Sequence, residues 1–341
     1  MNDYLKPFRG RIDRRSIAPA TIAIVGAGRV GGWLALELAR LVPRRLILVD
    51  GDDLEVSNLS GHPLTSEYVN WSKTVAMCDF LQRTIPGSTE FTAIPYFIDN
   101  AILDEWVLTD VISPASVVIV ATDDLETQRR VAGLARAAEV PAIVPGIAAD
   151  GSGRGEAFLS LSEDEPCAEC FDAFRPLGAP VRGAAAVALD AAPAVHLGFS
   201  LTLAVLDPTS REAELLTPLR EGGPVPQLFR AWPPGAAALS HADDGRTEVP
   251  WREDCPGCGG RVAPRRSFAQ RRRERRAQRQ RTRRRQIPRS LVWLLYGLEL
   301  LFLVASEASG GVVVATMWAS LALGFGVWIG RRLPEIEASP G

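Results

Sequence analysis

Two periods organise the first half of the chain. TIAIVG (21–26), RLILVD (45–50) and SVVIVAT (116–122) are short, almost unbroken apolar runs, whereas RVGGWLALELARLV (29–42) carries its apolar residues at helical spacing. The pattern predicts a strand at 21–26, a tight turn, a helix over 29–42 and a strand at 45–50. A helix over 72–84, a strand near 90–96, a helix near 100–109, a strand at 116–122, a helix over 124–138 and a strand at 141–146 continue it. Strands apolar on both faces and alternating with helices imply an α/β fold: a Rossmann-like, doubly wound, mostly parallel sheet with helices on both faces. GEAFLSL (155–161) alternates differently and predicts an antiparallel addition. From about 173 to 254 the chain is rich in Ala, Gly and Pro, with one buried helix expected at 193–206, where His196 reads as a core histidine.

The pattern breaks beyond residue 260. Residues 265–289 hold 13 arginines and a single acid, Glu274, and two apolar segments follow at 291–305 and 311–330. The second is uncharged and about the ~20 residues a bilayer-spanning helix needs; the first is shorter and carries Glu299. Arginines on both flanks predict a membrane hairpin with both ends cytoplasmic, the first segment reading as a tilted span, a re-entrant helix or an interfacial one; a buried helical hairpin is the alternative. The same division appears in the charge. Residues 1–260 carry 22 Lys and Arg against 35 Asp and Glu, and residues 261–341 carry 16 against 5. An Arg run abutting apolar spans points to anionic lipid headgroups rather than to nucleic acid. The expected organisation is an N-terminal extension (1–20), a main domain (21–260), an Arg-rich juxtamembrane linker (261–289), a two-helix membrane hairpin (290–332) and a tail (333–341). MNDYLKPFRGRIDRR lacks the apolar core of a signal peptide, so the main domain is expected in the cytoplasm, anchored to the membrane.

Three constellations carry candidate chemistry. G-A-G-R-V-G (26–31) is G-x-G-x-x-G between strand and helix: Gly26, Gly28 and Gly31 would make the turn, admit phosphate and let the helix pack close, and Asp50 lies at the distance of a ribose acceptor. Alone this fits NAD, FAD or ATP, or a purely structural turn. Asp50, Asp52, Asn58, Lys73 and Asp123 recur on loops after successive strands, at the edge where such sheets bind ligands. Transfer of a nucleotidyl group needs cations on the phosphates and a carboxylate for Mg²⁺, which Lys73 and Asp123 would supply. Singly, Lys73 also reads as a solvated helix residue and Asp123 as a helix N-cap. Cys167 with Cys170, and Cys255 with Cys258, each have the C-x-x-C spacing that places two thiolates on one tetrahedral metal ion, so a closed structural zinc site is expected.

With these motifs in this order, the sequence resembles the ubiquitin-activating-enzyme-like superfamily, the ThiF/MoeB/HesA adenylyltransferases. IVGAGRVGG is similar to the family's glycine loop, VDGDDLEVSNL to its D-x-D...SNL segment, SKTVAM to its lysine helix start, and VIVATDDLETQ to its magnesium segment; the resemblance covers roughly residues 20–260. It implies ATP bound by Gly28, Asp50, Asn58 and Lys73, Mg²⁺ held by Asp123, and attack on the α-phosphorus by the C-terminal carboxylate of a ubiquitin-like or sulfur-carrier protein. It also implies a homodimer and a zinc site made by the two cysteine pairs.

The sequence departs from the family in two places. Three residues after the Asn the family places an arginine on the ATP phosphates, and here that slot is Gly61, with His62 adjacent. The family's N-terminal arginine has Lys6, Arg9 and Arg11 as candidates. The fifth cysteine, Cys78, reads as core, and no cysteine lies between Cys170 and Cys255, where members with their own thioester place it. The expectation is therefore a membrane-anchored adenylyltransferase that hands its product to a separate sulfurtransferase or conjugating enzyme. The runner-up, motivated by Gly61, is a noncatalytic membrane-tethered adaptor for a protein partner. An NAD-dependent oxidoreductase would leave the cysteine pairs and Asp123 without a role.

Overall fold

The computed structural model describes Tyr4, residues 6–8, 10–98, 106–148, 154–161, 165–174, 188–216, 228–231, 246–247, Val249, Arg252, residues 254–256 and Cys258. The Arg-rich segment and both apolar segments lie outside the described residues. Among the described residues no helix is long and apolar enough to cross a membrane.

Five parallel strands form the body of an eight-stranded sheet: β1 (Thr21–Val25), β2 (Arg45–Val49), β3 (Glu90–Ile94), β4 (Val117–Val120) and β5 (Ala142–Ile147). Three antiparallel strands extend it, β6 (Gly155–Ser160), β7 (Leu228–Ala231) and β8 (Arg246–Thr247), in the order β3-β2-β1-β4-β5-β6-β7-β8. β1 and β4 are buried at every residue, as expected of central parallel strands covered on both sides.

Period-2 alternation divides the strand residues between two cores. Ile22 and Ile24 of β1 join α2 (Arg29–Ala39), α3 (Lys73–Thr84) and α6 (Ala188–Leu206) through Leu34, Leu38, Met77, Leu81 and Leu201. Ala23 and Val25 face the opposite layer, where α4 (Leu125–Ala137) contributes Val131 and Ala135 and α5 (Ala168–Phe174) contributes Phe171. A further α-helix, α1, is one turn at Arg14–Ile17.

Three predicted elements change at their ends, among them the helix expected at 193–206, which starts at Ala188 and carries Pro193 inside it. The helix expected to run to residue 42 stops at Ala39, because Val42 adopts φ 51° ahead of Pro43 and the Arg14 guanidinium donates to the carbonyls of Leu41 and Val42. Near 100–109 the described part of the expected helix is a π-helical segment, Val107–Ile112. His196, read as a core histidine, is exposed: although α6 is apolar along its length, the ring sits on its outward side.

Candidate active site and metal centre

The crevice between β1 and β4, where the strand order reverses direction, is walled by two loops in contact. Gly26, at φ 91°, turns the chain out of β1 so closely against the β4–α4 loop that a Cβ there would lie 2.7 Å from the Ala121 carbonyl carbon and from the Thr122 nitrogen. Gly31 is tighter still, because a Cβ would meet the Gly26 carbonyl oxygen at 1.8 Å. Gly28, the N-cap of α2, has open space where a side chain would be, and no side chain caps the helix there. The first turn of α2 thus presents free N–H groups to an opening at the carboxyl edge of the sheet, an arrangement suited to phosphate.

The second loop, after β2, grips the first. Asp50 accepts from the Ala27 N–H at 2.6 Å with one oxygen and from the Asp52 N–H at 2.9 Å with the other; burial raises its pKa. His62 is buried, with Nε2 2.7 Å from the Ala27 carbonyl and Nδ1 accepting from the Leu64 N–H, so Nε2 is the donor. Burial also lowers its pKa, leaving the ring neutral at neutral pH, and it therefore cannot replace a guanidinium. Leu54 pairs with Asn70 and Trp71 through backbone hydrogen bonds, and Lys73 N–H donates to the Asp52 carbonyl. That pairing carries Lys73 to Asp52, where Nζ sits 2.7 Å from Oδ2; Lys73 is buried, rather than solvated on its helix. Asn58 works first as a local cap: its Oδ1 accepts from the Glu55 N–H while the Glu55 carboxylate accepts from the Asn58 N–H.

On the β4–α4 loop the N-cap is Asp124, which accepts from the Thr127 N–H at 2.8 Å. Asp123 is left exposed, without a hydrogen-bonding or ionic partner among the described residues. Gly26, Gly28, Gly31, Asp50, Asp52, Lys73 and Asp123 are thus brought to one edge of the sheet. Of the N-terminal candidates, Arg9 lies outside the described residues.

Three contributors were not legible in the sequence. The Phe97 ring lies on Gly51, where a Cβ would fall 2.5 Å from it, and stays exposed beside Asp50, offering a flat face to a base. Trp33 Nε1 donates to the Gly61 carbonyl at 2.9 Å. Arg29 runs over Gly61 with its Nε buried and unpartnered, a cost of about 1–3 kcal/mol unless a ligand relieves it. Its only signal was an arginine inside a glycine loop.

Away from this edge, Cys167, Cys170, Cys255 and Cys258 bring their sulfurs within 4.8 Å of one another. The separations 3.4 Å (Cys167–Cys255), 3.7 Å (Cys170–Cys258) and 3.9 Å (Cys167–Cys170) match the ~3.8 Å edge of a tetrahedron with ~2.3 Å metal–sulfur bonds. The donor set fits zinc, and four thiolates leave no open position for catalysis. Burial raises the pKa of Cys167 and Cys170, so an ion must displace their protons. Cys78 is half-buried with its thiol pushed up to about 12, which excludes a ready nucleophile.

A sequence model of the ThiF family matches residues 3–306. The chain belongs to the ThiF family. Among curated relatives, the molybdopterin-synthase adenylyltransferase of Salmonella typhimurium is 30% identical over 158 residues, covering 46% of this chain and 60% of that protein. The adenylyltransferase and sulfurtransferase MOCS3-1 of Zea mays is 34% identical over 127 residues, covering 36% of this chain and 25% of that protein. The chain therefore spans between a quarter and three fifths of the length of these relatives. E. coli MccB, solved with ATP, superposes with a TM-score of 0.53 at 17% identity over 72% of this chain and 69% of that one, which establishes a shared fold.

Proposed function

We propose that the chain is an ATP-dependent adenylyltransferase that activates the C-terminal carboxylate of a ubiquitin-like or sulfur-carrier protein. The observation that carries this reading is the contact of Gly26 with Ala121 and Thr122, which sets the open N-terminus of α2 beside the loop of the exposed Asp123. A nucleotide there would place its phosphates on the glycine loop, its ribose on Asp50 and its base against Phe97. The carrier's carboxylate oxygen attacks the α-phosphorus, the bond to the bridging α–β oxygen breaks, and pyrophosphate leaves with that electron pair. Lys73, oriented by Asp52, contributes positive charge to the phosphates. Mg²⁺ held by Asp123 would offset the charge of the leaving group. With Cys78 inert and no cysteine between 170 and 255, the acyl adenylate passes to a separate sulfurtransferase or conjugating enzyme. Family membership favours a homodimer.

Full-length protein with ATP, Mg²⁺ and small carriers ending in Gly-Gly is expected to incorporate labelled pyrophosphate into ATP only when a carrier is present. ATP binding without exchange for any carrier would instead support the noncatalytic adaptor, which Gly61 motivates. Anchoring in the membrane is part of the proposal and is supported by the uncharged run at 311–330 behind the Arg-rich segment. Membranes carrying the protein are expected to release it to detergent and to retain it in high salt; release by salt alone would refute a spanning anchor.

A further inference from the structure

We propose that Arg29 supplies the phosphate-binding guanidinium that position 61 lacks, and that residue 61 is glycine to make room for it. This rests on the ATP-dependent reading above.

Gly61 has φ −131°, a backbone conformation open to any residue, so conformation does not demand glycine there. Space does. A Cβ on Gly61 would lie 2.2 Å from Arg29 Nε, 2.9 Å from Cδ and 3.2 Å from Cγ, so the Arg29 stem and the start of its guanidinium occupy the ground of a side chain at 61. The arrangement is fixed from α2 itself: Trp33, one turn beyond Arg29 on the same helix face, holds the Gly61 carbonyl, while the Gly61 N–H donates to the Asn58 carbonyl.

The electrostatics call for an anion. Arg29 is the first residue of α2, where the helix dipole already concentrates positive charge, and the first turn holds no acid to offset it. The guanidinium makes no hydrogen bond or ion pair with any described residue, and its Nε is sealed from water without an acceptor. Of the other basic groups at the loop, Lys73 already has a carboxylate partner in Asp52 and His62 is neutral, so Arg29 brings charge that is not yet paired. A planar fork beside free helix N–H groups suits the oxygens of a triphosphate, which would supply the missing acceptors.

Calorimetry with ATP and with adenosine on the full-length protein tests this. Arg29→Gln is expected to weaken ATP binding about 10- to 100-fold and to leave adenosine binding unchanged. Gly61→Ala should reproduce the defect, because one methyl group displaces Arg29. In an Arg29→Gly background, adding Gly61→Arg should restore most of the lost ATP affinity, which a purely structural Arg29 would not allow. Should Arg29→Gln fail to fold, Arg29→Lys keeps stem and charge and should bind ATP with intermediate affinity. Wild-type ATP affinity in folded Arg29→Gln or Arg29→Lys, or a folded double variant without rescue, would overturn the proposal while leaving the adenylation reading intact. A wild-type protein that binds neither ATP nor adenosine would overturn both.

Discussion

Replacing Asp123 by asparagine is expected to lower pyrophosphate exchange by about a hundred- to a thousandfold without destabilising the fold. Asp123 and Asp124 are neighbours with separate tasks: Asp124 is spent on the cap of α4, accepting from Thr127, and Asp123 stands exposed at the mouth of the crevice. Asp124→Ala should therefore do the opposite, costing about 1 kcal/mol of stability through the lost cap while exchange per folded molecule changes little. Thermal melts and exchange rates for the two variants, measured side by side, check the division. Wild-type exchange in Asp123→Asn would remove Asp123 from the catalytic machinery.

Loss of the metal centre is expected to have the largest effect on stability. Cys170→Ser, or extraction with a strong chelator, should lower the unfolding free energy by about 5 kcal/mol or more, comparable to the whole stability of many domains. The pH dependence gives the effect a sign. In the metal-free protein the buried thiols of Cys167 and Cys170 resist ionisation, so the unfolded chain loses more protons above about pH 8.5 and metal-free stability falls there. In the loaded protein the ion holds thiolates, so protons compete with it and it is released as pH falls. Chemical-denaturation midpoints of loaded and stripped protein across pH 6–10 should therefore diverge as pH rises. A protein that purifies without zinc and melts identically with and without chelator would contradict the assignment.

The parallel core was legible because its strands are buried on both faces: TIAIV, RLILV and VVIV leave little alternative to central strands. GEAFLS was legible as antiparallel from its different alternation, and it does pair antiparallel with β5. Yet it is buried at every residue like the central strands, Glu156 included, so that polar position marks a buried ion pair with Arg154 rather than a solvent face. β7 and β8 were not legible, since four and two residues in an Ala-, Gly- and Pro-rich stretch carry too short a period to stand out. α5, only seven residues long, was hidden in the same way beside its cysteine pair. At the site, residue types at fixed spacing announced the glycine loop, Asp50, Lys73 and the four cysteines. What sequence could not convey was partnership. Nothing in the order of residues says that Asp124 rather than Asp123 caps a helix, that Asn58 is engaged with Glu55, or that Arg29 overlies a glycine 32 positions away. These depend on how loops from different strands meet.

The backbone of Ala27 is held on both of its peptide groups, its N–H by Asp50 and its carbonyl by His62, both carried on the neighbouring loop. Conformational freedom that many glycine-rich loops surrender when ligand arrives is here given up during folding. If the chain binds ATP as proposed, nucleotide capture would need little reordering of the backbone, and more of the contact energy would be left to appear as affinity. The same grip ties the two loops into one mechanical unit: a change that loosens His62 would be felt at the phosphates without touching them.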